Sequence, residues 1–318
     1  MTLRQVTALV AIGLLGLVPA CKKKTPAGAK PGGSADAASA SSAPRPASSD
    51  PAAAERAAQM RAAINKVVNP KNEEPYKGPA GTVRGVVRIE GDPPPPSGLT
   101  IPAKCTEGAV THGKLFRVGQ DHSLGDVLVA VTDYAGFVPA KSPAQKVTIH
   151  GCALSRRTIA MAFGQRLEVA NLDQVESYMP YLDGAPSRVN MVAPPNGDPV
   201  KLYAPEPGHY LLRDQLPNPH MFADVFVLAY ATHDTTGLDG QYEIKGVPVG
   251  KAKLNAFLPA INKVIEKVID VREGMNTFDL TMTFDAKKDL APAGSASAGA
   301  APSAPPPPSA VPSAPPAP

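Results

Sequence analysis

Residues Leu238–Gly250, LDGQYEIKGVPVG, decide the fold class. Asp239-Gly240 is a tight-turn dipeptide, and Tyr242 and Ile244 then alternate with Gln241, Glu243 and Lys245, the period of a half-buried strand. Pro248-Val249-Gly250 turns the chain again before a second alternating run, Lys251–Phe257. The same pattern extends upstream through Thr82–Ile89, Leu115–Val118, Val127–Thr132, Lys146–His150, Thr158–Phe163 and Arg166–Ala170. After an irregular Pro- and Gly-rich middle come Val200–Tyr203, His209–Arg213, Asp224–Ala231 and Gln241–Lys245, and beyond Phe257 lie Val264–Val271 and Thr277–Phe284. Gly91-Asp92-Pro93 and Arg272-Glu273-Gly274 supply further turns. A dozen short runs without a long helix between them predict an all-β protein of Greek-key β-sandwiches.

Neither end of the chain carries this pattern. Met1–Gln5 has one positive charge, at Arg4, and Val6–Val18 is apolar but too short to span a bilayer, so 1–20 reads as a signal peptide. Val18-Pro19-Ala20-Cys21 resembles the cleavage box of bacterial lipoproteins. That resemblance implies acyl chains on Cys21 and a partner in membrane lipid. Lys22 stands where an Asp commonly retains lipoproteins at the inner membrane, so the expected location is the cell envelope, at the outer membrane facing the periplasm. Residues 21–77 form a linker rich in Ala, Ser, Pro and Gly. Its lysines Lys22, Lys23, Lys24 and Lys30 would add about 1 kcal/mol each at an anionic lipid surface. Within the linker, Ser49-Asp50-Pro51 caps a spacer helix expected over 52–68, with Met60, Ile64 and Val67 as its apolar anchors. Residues 287–318 are an Ala/Pro/Ser-rich tail with too little apolar surface to fold.

The net charge is +4, and the folded part has no Lys/Arg cluster interleaved with aromatic residues, which argues against nucleic acid as a partner. With Cys21 acylated, Cys105 and Cys152 remain in an oxidising compartment. One disulfide closing a loop of about 48 residues would stabilise by about 4 kcal/mol; the alternative is a pair of buried free thiols.

Two stretches resemble known families. Gly81–Gly91 together with Leu238–Gly250 is similar to the opening strand and the D-G-x-[FY]-x-[IL] hairpin of carboxypeptidase regulatory-like domains, transthyretin-like sandwiches with a carbohydrate-binding-like fold. Cys152, the strands to Val169, Asn171-Leu172-Asp173, Pro207-Gly208-His209-Tyr210 and the Met221 region resemble a cupredoxin-like module of the plastocyanin or methylamine-utilisation type. The cupredoxin-like module is expected over 78–232 and the regulatory-like module over 233–286, with strand 81–90 pairing into the second.

A cupredoxin site combines two imidazoles, a thiolate and a weak axial Met. The family pattern places these ligands at Ser177, Gln215, Asn218 and Met221, so Met221 alone is of a ligating type. No cofactor is therefore expected. A substitute cluster of His220, Met221 and Met179, with His209 and Met191 as further members, would suit Cu(I). The ordinary reading is that such methionines fill core gaps. His112, His122, His150 and His233 show no ligand spacing. No Gly-x-Ser-x-Gly, His-Glu-x-x-His or phosphate-cradling loop occurs. The expected function is a non-enzymatic, lipid-anchored envelope protein that binds or scaffolds an envelope protein or glycan. A copper-handling or electron-transfer protein with a His/Met site is the alternative.

Overall fold

The computed structural model describes residues 51–186 and 190–290. Cys21, the signal segment and most of the linker and tail lie outside the described residues. Helix α1 (Pro51–Val68) occupies the expected spacer position. Met60 and Val67 are exposed, and Ile64 and Val68 are the side chains that line a groove with Phe163. Among the described residues, no helix is long and apolar enough to cross a membrane.

Apart from short helices, the rest of the described architecture is β, arranged as two sandwiches. In the C-terminal sandwich, β1 (Ala80–Gly91) is the central strand. Its alternation buries Val83, Val87 and Ile89 and leaves Arg84 at the surface. It pairs antiparallel with β12 (Gln241–Pro248) and parallel with both β15 (Gly274–Thr277) and β16 (Leu280–Phe284). The run expected as one strand, Thr277–Phe284, is thus two pieces. Between them the chain steps off the ladder, where Phe278 N–H donates to Arg84 O and the Asp279 carboxylate accepts from Val86 N–H at 2.9 Å.

The facing sheet has the order β11 (His233–Thr235), β2 (Leu128–Thr132), β13 (Gly250–Leu258) and β14 (Lys263–Val271). Strands β1 and β2 precede residue 232, yet their strand partners all follow it. Between the sheets lie Val83, Val87, Phe116, Val129, Tyr242, Ile244, Leu254 and Phe284, all buried. Each such side chain contributes about 1.5–3 kcal/mol relative to exposure.

Leu115–Val118, expected as a strand, makes only isolated bridges at Lys114 and Val118. Phe116 drops into the core against Phe284, and the chain doubles back so that Val118 meets Leu124. A ladder cannot continue through that reversal.

The first sandwich packs one sheet, β4 (Ala153–Leu154), β3 (Ala144–His150), β6 (Arg166–Asn171) and β8 (Val200–Tyr203), onto another. The second sheet is β5 (Thr158–Ala162), β10 (Phe222–Leu228), β9 (Gly208–Asp214) and β7 (Pro180–Asp183). The pairs β3/β6 and β5/β10 are parallel, and the others are antiparallel. A short helix, α2 (Thr106–His112), lies against this sandwich.

The sandwiches meet at Leu128, Ala160 and Leu228, with Phe226 edge-on to Phe257. Next to this apolar joint, Arg117 grips Asp126 through two hydrogen bonds of 2.6 Å. Asp126 also accepts the Arg157 backbone N–H, while the Arg157 guanidinium donates to the carbonyls of Thr111, Lys114 and Leu115. One carboxylate and two guanidiniums thereby tie α2 and both sandwiches together.

Candidate functional site

Ser177 and the 215–221 loop, singled out in the sequence, come together. Strands β7 and β9 pair with Pro180 opposite Asp214, and Gln215 N–H donates to Met179 O at 3.0 Å. Ser177 and the 215–221 loop therefore share one end of the first sandwich. The loop is organised around Asp214, whose carboxylate accepts from Met179 N–H, Leu216 N–H and the Asn218 side-chain amide. Gln215 donates its amide to Asn190. Asn218 and Gln215 thus brace a turn with groups that ligate copper poorly. Met221 is buried in the core of the sandwich, and Met179 is half-buried.

Nearby, Asn171 is buried and donates to the carbonyls of Glu176 and Ala193. Asp173 accepts from Gly151 N–H at 2.7 Å and from the Tyr178 hydroxyl at 2.5 Å. Burial pushes the Asp173 carboxyl up, but these hydrogen bonds outweigh it and leave the group below its ordinary value. Asp173 thus clamps the β3–β4 turn.

That turn carries Cys152. Gly151 and Cys152 both have positive φ, +55° and +57°, in a two-residue hairpin loop between His150 and Ala153. This is the pattern of a type I′ turn, usually occupied by Asn-Gly. It aims Cys152 at Cys105, immediately before α2, and the two form a disulfide with Cα atoms 5.1 Å apart. Gly108 N–H donates to Gly151 O at 3.2 Å, which presses α2 onto the turn.

His220 closes this cluster. It is 0 % exposed and lies against the Cys152 backbone, with neither ring nitrogen making a well-formed hydrogen bond. A ring nitrogen of His220 and the two cysteine sulfurs all lie within 4.8 Å of one another. Burial lowers the His220 pKa, partly opposed by the Cys152 backbone and the Asp214 charge. His112 is also fully buried and unpartnered, and its ring lies 5.0 Å from that of Phe222. Burial, reinforced by Arg157 and His220, lowers its pKa to about 3, so it is neutral at any physiological pH.

The sequence reading placed His220 with Met221 and Met179, whereas the fold also sets it against Cys105 and Cys152. His209 is elsewhere, stacked on Phe226 and 2.8 Å from Asp224. Cys105 and His112 sit two helical turns apart across α2, a spacing visible in sequence. Nothing local announces that His220, more than a hundred residues later, joins them.

A cleft of about 230 Å³ lies where the sandwiches meet, lined by Lys141, Gln165, His233 and Asp234 among others. It is smaller than typical small-molecule sites of about 300–1,000 Å³. The Asp234 carboxylate is already used by the backbone N–H groups of Thr235 and Glu243.

No protein-family model and no curated protein matches the chain. Among solved structures, a Cu-containing nitrite reductase from Thermus scotoductus is similar over 31 % of this chain and 25 % of its own, at 16 % identity and a TM-score of 0.24. A reduced tryptophan-to-tyrosine variant of amicyanin is similar over 31 % of this chain and 98 % of its own, at 14 % identity and a TM-score of 0.24. The match thus spans a quarter of the nitrite reductase. The strand pairing itself, with the buried core on which it closes, defines the class: an all-β protein of two joined sandwiches, the first stapled by a disulfide.

Proposed function

We propose that the chain is a non-catalytic binding or scaffolding module of the bacterial cell envelope, held to lipid by acyl chains on Cys21. Its first sandwich is a cupredoxin-like frame without the copper site, and its second is a carboxypeptidase regulatory-like sandwich. The observation that carries this reading is the 214–221 loop, where Asp214 is engaged by Asn218 and two backbone N–H groups. A loop wired in this way holds its shape without a metal, as a binding surface requires. The binding partner fitting this reading is an envelope protein or glycan, and the outer membrane is the location fitting Lys22 after Cys21.

The anchor is tested by Cys21→Ala. The variant is expected to lose detergent-phase partitioning and accumulate as precursor or as soluble periplasmic protein, because the acyl chains supply the membrane affinity. Unchanged partitioning would contradict the anchor. The binding role is tested by cross-linking the wild-type chain in intact envelopes. A reproducible partner lost on disrupting the 214–221 loop supports it, and an identical cross-linking profile for that variant counts against it.

A further inference from the structure

We infer that Cys105, Cys152 and His220 form a redox-gated site for a thiophilic d10 metal ion, Cu(I) or Zn(II), which opens when the disulfide is reduced. The site is distinct from the cupredoxin positions at Ser177, Gln215 and Asn218, and it goes beyond the binding-module reading without depending on it.

Three observations carry the inference. First, three donor atoms of the right softness converge from three separate segments, the α2 entrance, the β3–β4 turn and the loop after β9, within 4.8 Å of one another. A tetrahedral ion with bonds of about 2.3 Å to sulfur and 2.0 Å to nitrogen places its ligand atoms about 3.5–3.8 Å apart. The observed spread encloses that geometry, and cleavage of the S–S bond frees both sulfurs to adopt it.

Second, His220 is fully buried beside the Cys152 backbone, and neither ring nitrogen makes a well-formed hydrogen bond. A buried polar group without a well-formed hydrogen bond carries a desolvation penalty. A metal ion on one nitrogen removes part of that penalty, and the Cys152 backbone lies close enough to influence the ring.

Third, the frame that holds the three residues has its own anchors. Gly151 is held by the Asp173 carboxylate and α2 by Arg157, so breaking one covalent bond leaves the turn and the helix still tethered.

The redox step is thiol–disulfide exchange. A dithiol reductant supplies two electrons and two protons, its own two sulfurs become a disulfide, and Cys105 and Cys152 become thiols. Metal binding then releases one proton from each thiol, since the thiolate is the ligand.

The test uses the folded wild-type protein, purified oxidised, then reduced with a phosphine under anaerobic conditions. Zn(II) and Cu(I) are titrated separately, each against a competing chelator. The reduced protein should keep its circular dichroism and bind one equivalent, and the oxidised protein should bind none. X-ray absorption of the Zn(II) form should show two sulfur ligands near 2.3 Å and nitrogen near 2.0 Å. His220→Ala should weaken binding by at least about tenfold. Should that variant fold poorly, the sulfur and nitrogen ligand numbers of the wild type decide the matter. A bridge resistant to reduction in the folded state, loss of structure on reduction, or a reduced folded protein that binds neither ion would each overturn the proposal. Preference for one ion over the other identifies the cargo and leaves the site intact.

Discussion

The core of the C-terminal sandwich, from Val83 to Phe284, consists of hydrocarbon, thioether and aromatic side chains. The first sandwich has a comparable apolar core, but a disulfide is built into it, and two imidazoles without well-formed hydrogen bonds are buried around it. Both sandwiches solve the same packing problem with strands of similar length. They differ in what their interiors tolerate. Among its buried members, the C-terminal core carries one phenol, Tyr242, whose hydroxyl donates to Phe278 O, and one thioether, Met282. Burying His112 and His220 costs desolvation that the surrounding structure has to offset. The buried imidazoles cluster at the disulfide, whereas buried polar side chains of the neighbouring sandwich such as Thr232, Thr236 and Asn276 are hydrogen-bonded.

The largest expected effect sharpens that contrast. Replacing Cys105 and Cys152 together with Ser should cost about 4 kcal/mol of stability by urea unfolding. Amide exchange should accelerate in α2, β3 and β4 well before β12–β14 respond. Equal acceleration in both sandwiches would break the distinction. Next comes Asp126→Ala, which strands the half-buried Arg117 guanidinium. A loss of about 3 kcal/mol is expected, far more than for an exposed ion pair, which contributes at most about 1 kcal/mol. A loss below 1 kcal/mol would mean that the charged joint does not hold the sandwiches.

The pH dependence follows in size. The native pKa of His112 is about 3, below its unfolded value near 6.5, so the unfolded chain takes up the proton first as pH falls. Stability is fully present above pH 6.5 and should decline by about 1.4 kcal/mol per pH unit below it from this residue alone. His220, also lowered, adds in the same direction. Urea midpoints measured between pH 7 and pH 5 should fall, and His112→Leu should flatten the profile. A flat wild-type profile would mean that the imidazole is not buried as a neutral group. The smallest effect is expected for His209→Ala at the joint, where the Asp224 partner is partly solvated, with a loss of about 1 kcal/mol or less.

Much of the fold was legible because alternation is a local signal. Val200–Tyr203 appears as expected, and β1, β12 and β13 begin and end within a few residues of the sequence reading. The misses have physical causes. The hairpin at Gly151-Cys152 lacks the Asn-Gly signature because its second residue is held by a disulfide and by Asp173, so β4 went unseen. Strand β11 is only three residues long, too short for a period to emerge, and β7 (Pro180–Asp183) has no alternation, since Pro180, Tyr181 and Leu182 are all buried. The Thr277–Phe284 run hid a break that depends on Asp279 reaching Val86, a contact across nearly two hundred residues. For the site, pairing of Cys105 with Cys152 followed from counting, whereas the arrival of His220 beside them is tertiary information alone.

The central claim is that the 214–221 loop is wired by hydrogen bonds around Asp214 and holds no cysteine. The most direct test is titration of the oxidised, disulfide-intact protein with Cu(II), followed by visible absorption. The account predicts a nearly colourless protein with no tight stoichiometric uptake, since no cysteine follows Cys152 in the chain and Cys105 and Cys152 are bonded to each other. An intense sulfur-to-copper charge-transfer band at one equivalent would contradict it.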